Sequence, residues 1–464
     1  MNKPGAAQPD QNSRITLIHP RYLVPVRPAG VVFDAWSVAI TDDLIVRLMP
    51  RDEAEQAYPE AEEIELPEHV LLPGLINMHT HSPMNLLRGY ADDMDLHVWL
   101  RQHIWPAEQE FVGPDFVADG TRLAIAEMLR AGTTCFNDMY FFPDAIARAC
   151  QDAGIRASIG VPLIEDQSVS TTEIDGYFEQ GLELHRKWQA EPLLSFTLSP
   201  HAPYTVTDET LQRVAAYSEE MNIPVHMHLL ETEWDIKHSL QHHDLHPLRR
   251  LKELNLLNSR LQAVHMTQLS MEDISTLAEA GVHVVHCPQS NLKLASGICP
   301  LASLMEAGIN VSLGTDGVAS NNDLDLLAEA QTAALLAKGI SGNAESVNAF
   351  QALEMMTING AMALGLEKRI GSIEPGKAAD FCAIDLSCPE TQPLHHVVSQ
   401  VIYAASRRQV SDVWVAGRRV LDSGQLTSID LEETTSKARQ WAARLRVFDA
   451  VNRERNGKKS RVTM

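Results

Sequence analysis

Long apolar runs are missing from this 464-residue chain: no stretch approaches the ~20 residues a membrane-spanning helix needs. Positive charge is scarce, with 38 Lys and Arg against 61 Asp and Glu and a formal net charge of −23. Such a surface repels nucleic acid and anionic membranes, which argues against a polyanionic partner. A CxxC pair is absent. The six cysteines (135, 150, 287, 299, 382 and 388) are scattered, as expected for reduced thiols in a cytoplasmic protein. Met1 to Ser13 is polar, lacks the apolar core of a signal peptide, and is expected to be a disordered tail. Neither an internal repeat nor a low-complexity linker is found.

What is present is an ordered succession of short elements. Residues 1–73 read as short strands with turns: Ile15–Ile18, Val38–Thr41, Leu44–Leu48, Glu63–Leu66 and Val70–Leu72. From Leu75 the pattern changes to short apolar strands alternating with helical stretches. The strands are expected at Leu75–His79, Thr133–Asn137, Ala157–Val161, Leu194–Ser199, Val225–His228, Ala263–His265, His283–His286 and Asn310–Gly314. Helices are expected between them, at Phe116–Ala131, Pro143–Ala153, Asp208–Met221 and Met271–Ala280 among others, with glycine stop signals at Gly132, Gly154, Gly281 and Gly308. Eight such units imply an α/β fold built on a (β/α)8 barrel over residues 74–370. Strand character returns in residues 371–429, at Asp380–Asp385, Val410–Val415 and Arg418–Leu421. Neither flanking β segment is long enough to bury a core alone, so both are expected to combine into one β-sandwich. Residues 430–464 are read as a closing helix, over 430–448, and a tail.

Nineteen histidines are many for this length, and their placement matters more than their number. His79-Thr80-His81 follows the first barrel strand, where residues i and i+2 project the same way. His226-Met227-His228 ends the fifth strand, with Glu231 one turn further on; one of the two imidazoles is a candidate third ligand. His265 ends the sixth strand, His286 the seventh, and Asp316 the eighth within Gly314-Thr315-Asp316-Gly317. Barrel active sites are built at strand C-terminal ends, and imidazole plus carboxylate is a zinc- or iron-type ligand set. Three imidazoles and a carboxylate leave room for a water, which the metal acidifies. Glu231 is suited to shuttle a proton to the substrate and leaving group, Asp316 to accept one while touching the metal, and His265 to orient water or stabilise the leaving side. His201, in Pro200-His201-Ala202-Pro203-Tyr204, and Glu108, in Trp105-Pro106-Ala107-Glu108, lie where they can hydrogen-bond a polar substrate.

With these residues in place, the chain resembles the amidohydrolase superfamily over nearly its whole length. The motifs are Pro73 to His81, His226 to Thr232, Gly314 to Gly317 and the late run Gly371-Ser372-Ile373-Glu374-Pro375-Gly376-Lys377-Ala378-Ala379-Asp380-Phe381. No lysine stands at a strand end to suggest a carbamylated bridge, so the resemblance implies a mononuclear site. Within the superfamily the chain looks like the 5-methylthioadenosine/S-adenosylhomocysteine deaminases, through His81 to Gly89, Trp105 to Glu108, Ser290 to Leu294 and Asp316 to Asn322. That resemblance implies one Zn2+ per chain (Fe2+ the alternative) on His79, His81, His228 and Asp316, with Glu231 as proton shuttle and Glu108 and His201 as substrate contacts. It implies hydrolytic deamination of an adenosine-type nucleoside to its inosine analogue, by a chain free to be monomer or homo-oligomer. Some members carry an arginine after the third strand; here that stretch reads Gly160-Val161-Pro162-Leu163. Guanine-type deaminases and triazine amino- or chlorohydrolases are the alternatives, since displacement at a ring carbon needs the same ligands. The smaller zinc deaminase fold, with H-x-E and P-C-x-x-C, is excluded: no histidine here has a Glu two positions on.

Overall fold

A computed structural model of the chain describes residues 14–165 and 172–462. The expected N-terminal tail lies outside the described residues. Eight parallel strands follow one another in chain order: Leu75–Thr80, Thr133–Met139, Arg156–Leu163, Leu194–Pro200, Val225–Leu229, Leu261–His265, His283–His286 and Val311–Leu313. Each pairs with the next, and helices such as Pro114–Arg130, Pro143–Ala153, Asp208–Met221 and Met271–Ala280 return the chain between them. The strands are buried along almost their whole length, as parallel strands covered by helices are.

The first strand and the segment after the eighth meet through side-chain and backbone hydrogen bonds. Thr315 N donates to Asn77 Oδ1 at 3.0 Å, Asn77 Nδ2 donates to Thr315 Oγ1 at 2.8 Å, and Asp316 N donates to His79 O at 3.0 Å. Gly314 permits this approach, because a Cβ there would fall 2.7 Å from both the Cβ and the backbone nitrogen of His79. The result is a nearly closed barrel with the first and last candidate residues side by side.

The two β-rich ends do combine, but as one mixed nine-stranded sheet. Along it lie Gln425–Leu426, Arg418–Asp422, Val410–Val415, Phe381–Asp385, Glu62–Pro73, Ile15–Leu23, Trp36–Thr41 and Leu44–Pro50, with Phe33–Asp34 as a side branch. Glu63–Leu66 and Val70–Leu72, read as two strands, are one twelve-residue strand that runs straight through Pro67. The parallel partner Ile15–Leu23 shifts register between Pro20 and Tyr22, so that Pro67 falls where the ladder is irregular. Ile18, Val38 and Leu71 from the N-terminal part share a cluster with Phe381 and Trp414 from the C-terminal part.

A buried ion pair ties this sheet to the barrel: Arg156, at the start of the third barrel strand, donates from Nε to Asp380 Oδ2 at 2.9 Å. The closing helix spans Leu431–Val462, longer than expected. It docks through Trp441, whose Nε1 donates to Asp119 Oδ2 at 3.0 Å and whose ring meets Phe116 edge-on at 5.2 Å.

Candidate active site

Three strand ends deliver four converging donors. His79 and His81 leave the first strand, His228 the fifth, and Asp316 follows the eighth. One ligand atom from each lies within 4.8 Å of all the others. His228 Nε2 is 3.2 Å from His79 Nε2 and 3.3 Å from His81 Nε2; Asp316 Oδ1 is 3.2 Å and 3.3 Å from the same two nitrogens. Four donors around a cation at ~2.0–2.1 Å in tetrahedral array are separated by about 3.3 Å.

The tautomers make the same point. His81 Nδ1 donates to Met139 O at 2.6 Å and His228 Nδ1 to His201 O at 2.7 Å. A carbonyl only accepts, so Nδ1 carries the proton of each neutral ring and its Nε2 lone pair points inward. His79 is turned the same way, its Nδ1 2.9 Å from His226 Nε2. Bare lone pairs facing one another in a buried site need a cation, and the donors present fit a divalent ion of the zinc type. Without one, a proton substitutes: burial pushes the His81 imidazole down, but Asp316 beside it wins and lifts it to about 9. His228 is held well below the usual range by burial and by neighbouring imidazoles, and Asp316 well below its own by bonds to His79 and His81 that outweigh burial.

The backbone is strained where these residues emerge. Leu230, His265 and Asp316 have φ of 49°, 74° and 62°, values that non-glycine residues avoid and that cluster at functional sites. This turns Glu231, His265 and Asp316 into one cavity. Hydrogen bonds hold Asp316 from outside: Ser290 Oγ and Ser320 Oγ donate to Oδ2 at 2.7 and 2.8 Å.

That cavity combines apolar walls with a few convergent polar groups, the make-up of small-molecule sites. Glu231 lies in its wall, 6% exposed, with Ser296 Oγ donating to Oε1 at 3.1 Å. Burial pushes its carboxyl up to about 7, with His265 opposing. Glu108 is 5% exposed and is also pushed by burial to about 7, against the Tyr140 hydroxyl that donates to Oε1 at 2.6 Å. His201 lines the cavity with Nδ1 3.1 Å from Thr205 Oγ1. His265 donates from Nδ1 to Asn291 Oδ1 at 2.8 Å, which aims Nε2 inward.

Of the residues singled out for chemistry, His81, Glu108, His201, His228, Glu231, His265 and Asp316 line one cavity; His79 lies buried just beneath them in contact with His228 and Asp316, and His286 and His226 stand outside. His286 is buried outside the lining, its imidazole pushed by burial to about 3. His226 stands behind His79. Of the cavity's apolar walls, Trp105 and Met84 were legible, since the sequence offers Trp105 and the stretch Met84 to Leu87 as a wall for a sulfur-side tail; the rest was not foreseen: Leu96, Trp99 and Leu100 come from a short helix running into a π-helical turn at Leu100–Ile104, and Tyr140, Phe141 and Ile164 from strand ends two and three. No alternation marks such segments, although Trp99 and Trp105 flanking a polar stretch were a usable signal.

A metal-capable histidine–carboxylate centre at the mouth of a nearly closed parallel barrel defines a metal-dependent hydrolase architecture. The model of the amidohydrolase family matches residues 70–420, and the chain belongs to that family. It is 47% identical, over 91% of its length and 96% of the relative's, to the 5-methylthioadenosine/S-adenosylhomocysteine deaminase of Teredinibacter turnerae. A 5′-deoxyadenosine deaminase of Methanopyrus kandleri is 39% identical over 91% of this chain and 97% of its own. Among solved structures, an adenosine deaminase from Xanthomonas campestris with bound zinc superposes with a TM-score of 0.92 at 49% identity, covering 93% and 98% of the two chains. A zinc-complexed atrazine chlorohydrolase from Arthrobacter aurescens shares the fold, with a TM-score of 0.84 at 24% identity over 92% and 99% of the chains.

Proposed function

We propose that the chain is a zinc-dependent hydrolytic deaminase of 5′-methylthioadenosine and S-adenosylhomocysteine, giving the inosine analogues and ammonia. The observation that carries this is the convergence of His79, His81, His228 and Asp316 beside two buried carboxyl groups, Glu231 and Glu108. The deaminase relatives supply the substrate class.

His79, His81, His228 and Asp316 would hold one divalent ion, zinc with ferrous iron as the alternative, which when bound acidifies water to near-neutral pH. Glu231 enters carrying a proton that burial retains, and delivers it to purine N1 as water adds to C6. Asp316 takes up the proton that the incoming water sheds and passes it to the amino group, which leaves as ammonia while the C6 hydroxyl proton returns to Glu231. His265, oriented by Asn291, steadies the leaving side. Glu108 accepts from the ribose hydroxyls, and His201 meets the purine or ribose edge.

The 5′ substituent points to the apolar wall. No Lys or Arg is among the described residues lining the cavity, and none occurs between Gly160 and Glu173 in the sequence. A methylthio group matches Phe141, Leu163 and Ile164; a homocysteine carboxylate finds no cation there. Methylthioadenosine is therefore the better substrate. The ultraviolet change on deamination, followed for methylthioadenosine, S-adenosylhomocysteine, adenosine, guanine and a chlorotriazine side by side, tests this. Faster turnover of guanine or the triazine than of any 5′-thioadenosine overturns it.

The working unit is proposed as a closed barrel over residues 74–370, a sandwich-like sheet from 1–73 and 371–429, and a closing helix and tail over 430–464. Sheet membership and the shared Ile18–Trp414 cluster support that division. No helix among the described residues is long and apolar enough to cross a membrane, and all six cysteines are free. Both fit the proposed cytoplasmic setting, with a nucleoside as partner and no nucleic acid.

A further inference from the structure

Behind the segments that follow the seventh and eighth barrel strands lies a carboxyl group that no step above uses. Glu329, on the helix Leu326–Ser341, is 0% exposed. Burial, and to a lesser degree the neighbouring carboxylates Asp323 and Asp325, hold it well above the usual range against its bonds from Gln289 and Asn321. Burying such a group without a cation is costly. A position that only filled space would be served by leucine.

Its two oxygens reach in different directions. Oε2 accepts from the backbone N–H of Gln289 at 3.1 Å, at the start of the six-residue helix Pro288–Lys293. Oε1 accepts from Asn321 Nδ2 at 2.6 Å, and the same amide donates to Thr315 O at 2.8 Å. Both segments carry groups into the site. Ser290 Oγ and Ser320 Oγ bind Asp316 Oδ2 from opposite segments, and Asn291 Oδ1 receives His265 Nδ1.

We propose that Glu329 is a positioning residue, clamping the Pro288–Lys293 helix to the Asp316–Asn322 loop and thereby setting the Asp316 carboxylate and the His265 ring for the reaction. The inference rests on the reading of the site given above. A helix of six residues has little stability of its own and needs an external anchor. His265 and Asp316 sit at positive φ, a conformation that persists only where the surroundings enforce it. The chemistry of the clamp is specific. Both partners are N–H donors, so both oxygens must accept; an amide would present –NH2 to one of them. Aspartate, one methylene shorter, would not span both.

The test compares the metal-loaded wild type with Glu329→Gln, Ser290→Ala and the double variant. Glu329→Gln is expected to fold and keep its metal, while kcat for methylthioadenosine falls about 10–100-fold, the usual cost of losing support behind a metal site. KM should change by no more than about threefold, since the cavity walls are untouched. Because both residues act through Asp316, the double variant should fall no more than about threefold below the poorer single variant. Cobalt-substituted Glu329→Gln should show an altered visible spectrum, as Asp316 is reoriented. A kcat within about twofold of wild type, or losses that multiply in the double variant, overturns the clamp. Should Glu329→Gln fail to fold, Asn321→Ala cuts the Oε1 arm, together with the bond from Asn321 to Thr315 O, while leaving the Gln289 arm, and is expected to lower kcat in the same way, KM again holding. If the wild type turns over no nucleoside, the substrate reading fails by itself and the cobalt spectrum decides the clamp: unchanged in Glu329→Gln, it overturns it.

Discussion

Glu231 and His265 confront each other across the cavity, Oε2 to Nε2 at 3.7 Å. That gap is too long for a hydrogen bond, so both groups keep these polar atoms free toward the cavity. Each is oriented from behind, Glu231 by Ser296 and His265 by Asn291, so neither needs the other to hold its place. In the proposed reaction the pair frames the site of proton transfer.

Glu231→Gln should therefore keep the shape and the metal while losing the proton. A fall in kcat of at least ~100-fold is expected, with metal content unchanged by elemental analysis. Near-normal turnover by the metal-loaded variant would remove Glu231 from the role.

Glu108 gives a pH signature. Its carboxyl is raised to about 7, chiefly by burial. Below that pH it keeps its proton and an oxygen stops accepting from ribose. KM for nucleosides should rise as pH falls from about 8 to about 6, and the rise should vanish in Glu108→Gln. A KM equally pH-dependent in that variant would trace the effect elsewhere.

Elemental analysis checks the metal. One tightly held divalent ion per chain is expected in the wild type, and His228→Ala, which removes one of four donors, should lose it on dialysis against a chelator. Two tightly held ions, or full turnover in chelator, would contradict the assignment.

The apolar wall invites a gain-of-function test. Ile164→Arg places a cation beside the 5′ side of the cavity. The kcat/KM ratio of S-adenosylhomocysteine to methylthioadenosine should rise at least ~10-fold, the value of about one charge-assisted bond. An unchanged ratio would locate the tail on another wall.

Arg156 and Asp380 are each 2% exposed in their side chains. Arg156→Met strands the Asp380 carboxylate, left with the Ala416 N–H at 2.7 Å. A loss of about 3–5 kcal/mol in denaturant unfolding is expected, with much of it recovered when Asp380 is also made apolar. Equal losses in single and double variants would show that packing, not charge, dominates.

The candidate site was largely legible because barrel chemistry is confined to strand ends, and short apolar strands announce themselves. His79, His81, His228, His265 and Asp316 all fall at such ends in the sequence alone. His286 sat at one too, but the chain turns it into the core, which periodicity cannot reveal. Tyr140, Ser290, Ser296 and Asn291 stayed hidden because a hydroxyl or amide near a motif looks like any loop residue until its partner is placed. The joining of the chain's ends was foreseen from their short length. The single continuous sheet was not, since Pro67 reads as a strand break where the structure accommodates it by a shift in register.

In the nine-stranded sheet, Pro73 pairs with Phe381 and His69 with Asp385. A ribosome adding about 5–20 residues per second needs roughly 15–60 s to cover that interval. Throughout it, the strand Glu62–Pro73 has one neighbour in Ile15–Leu23 and a bare edge on its other side. Such an edge invites pairing with another nascent chain. Glu62, Glu63, Glu65 and Glu68 lie along the strand, carboxylates that repel a second copy during the wait. The arrangement that unites the chain's two ends thus makes the timing of synthesis a hazard, and the acidic residues along that strand its safeguard.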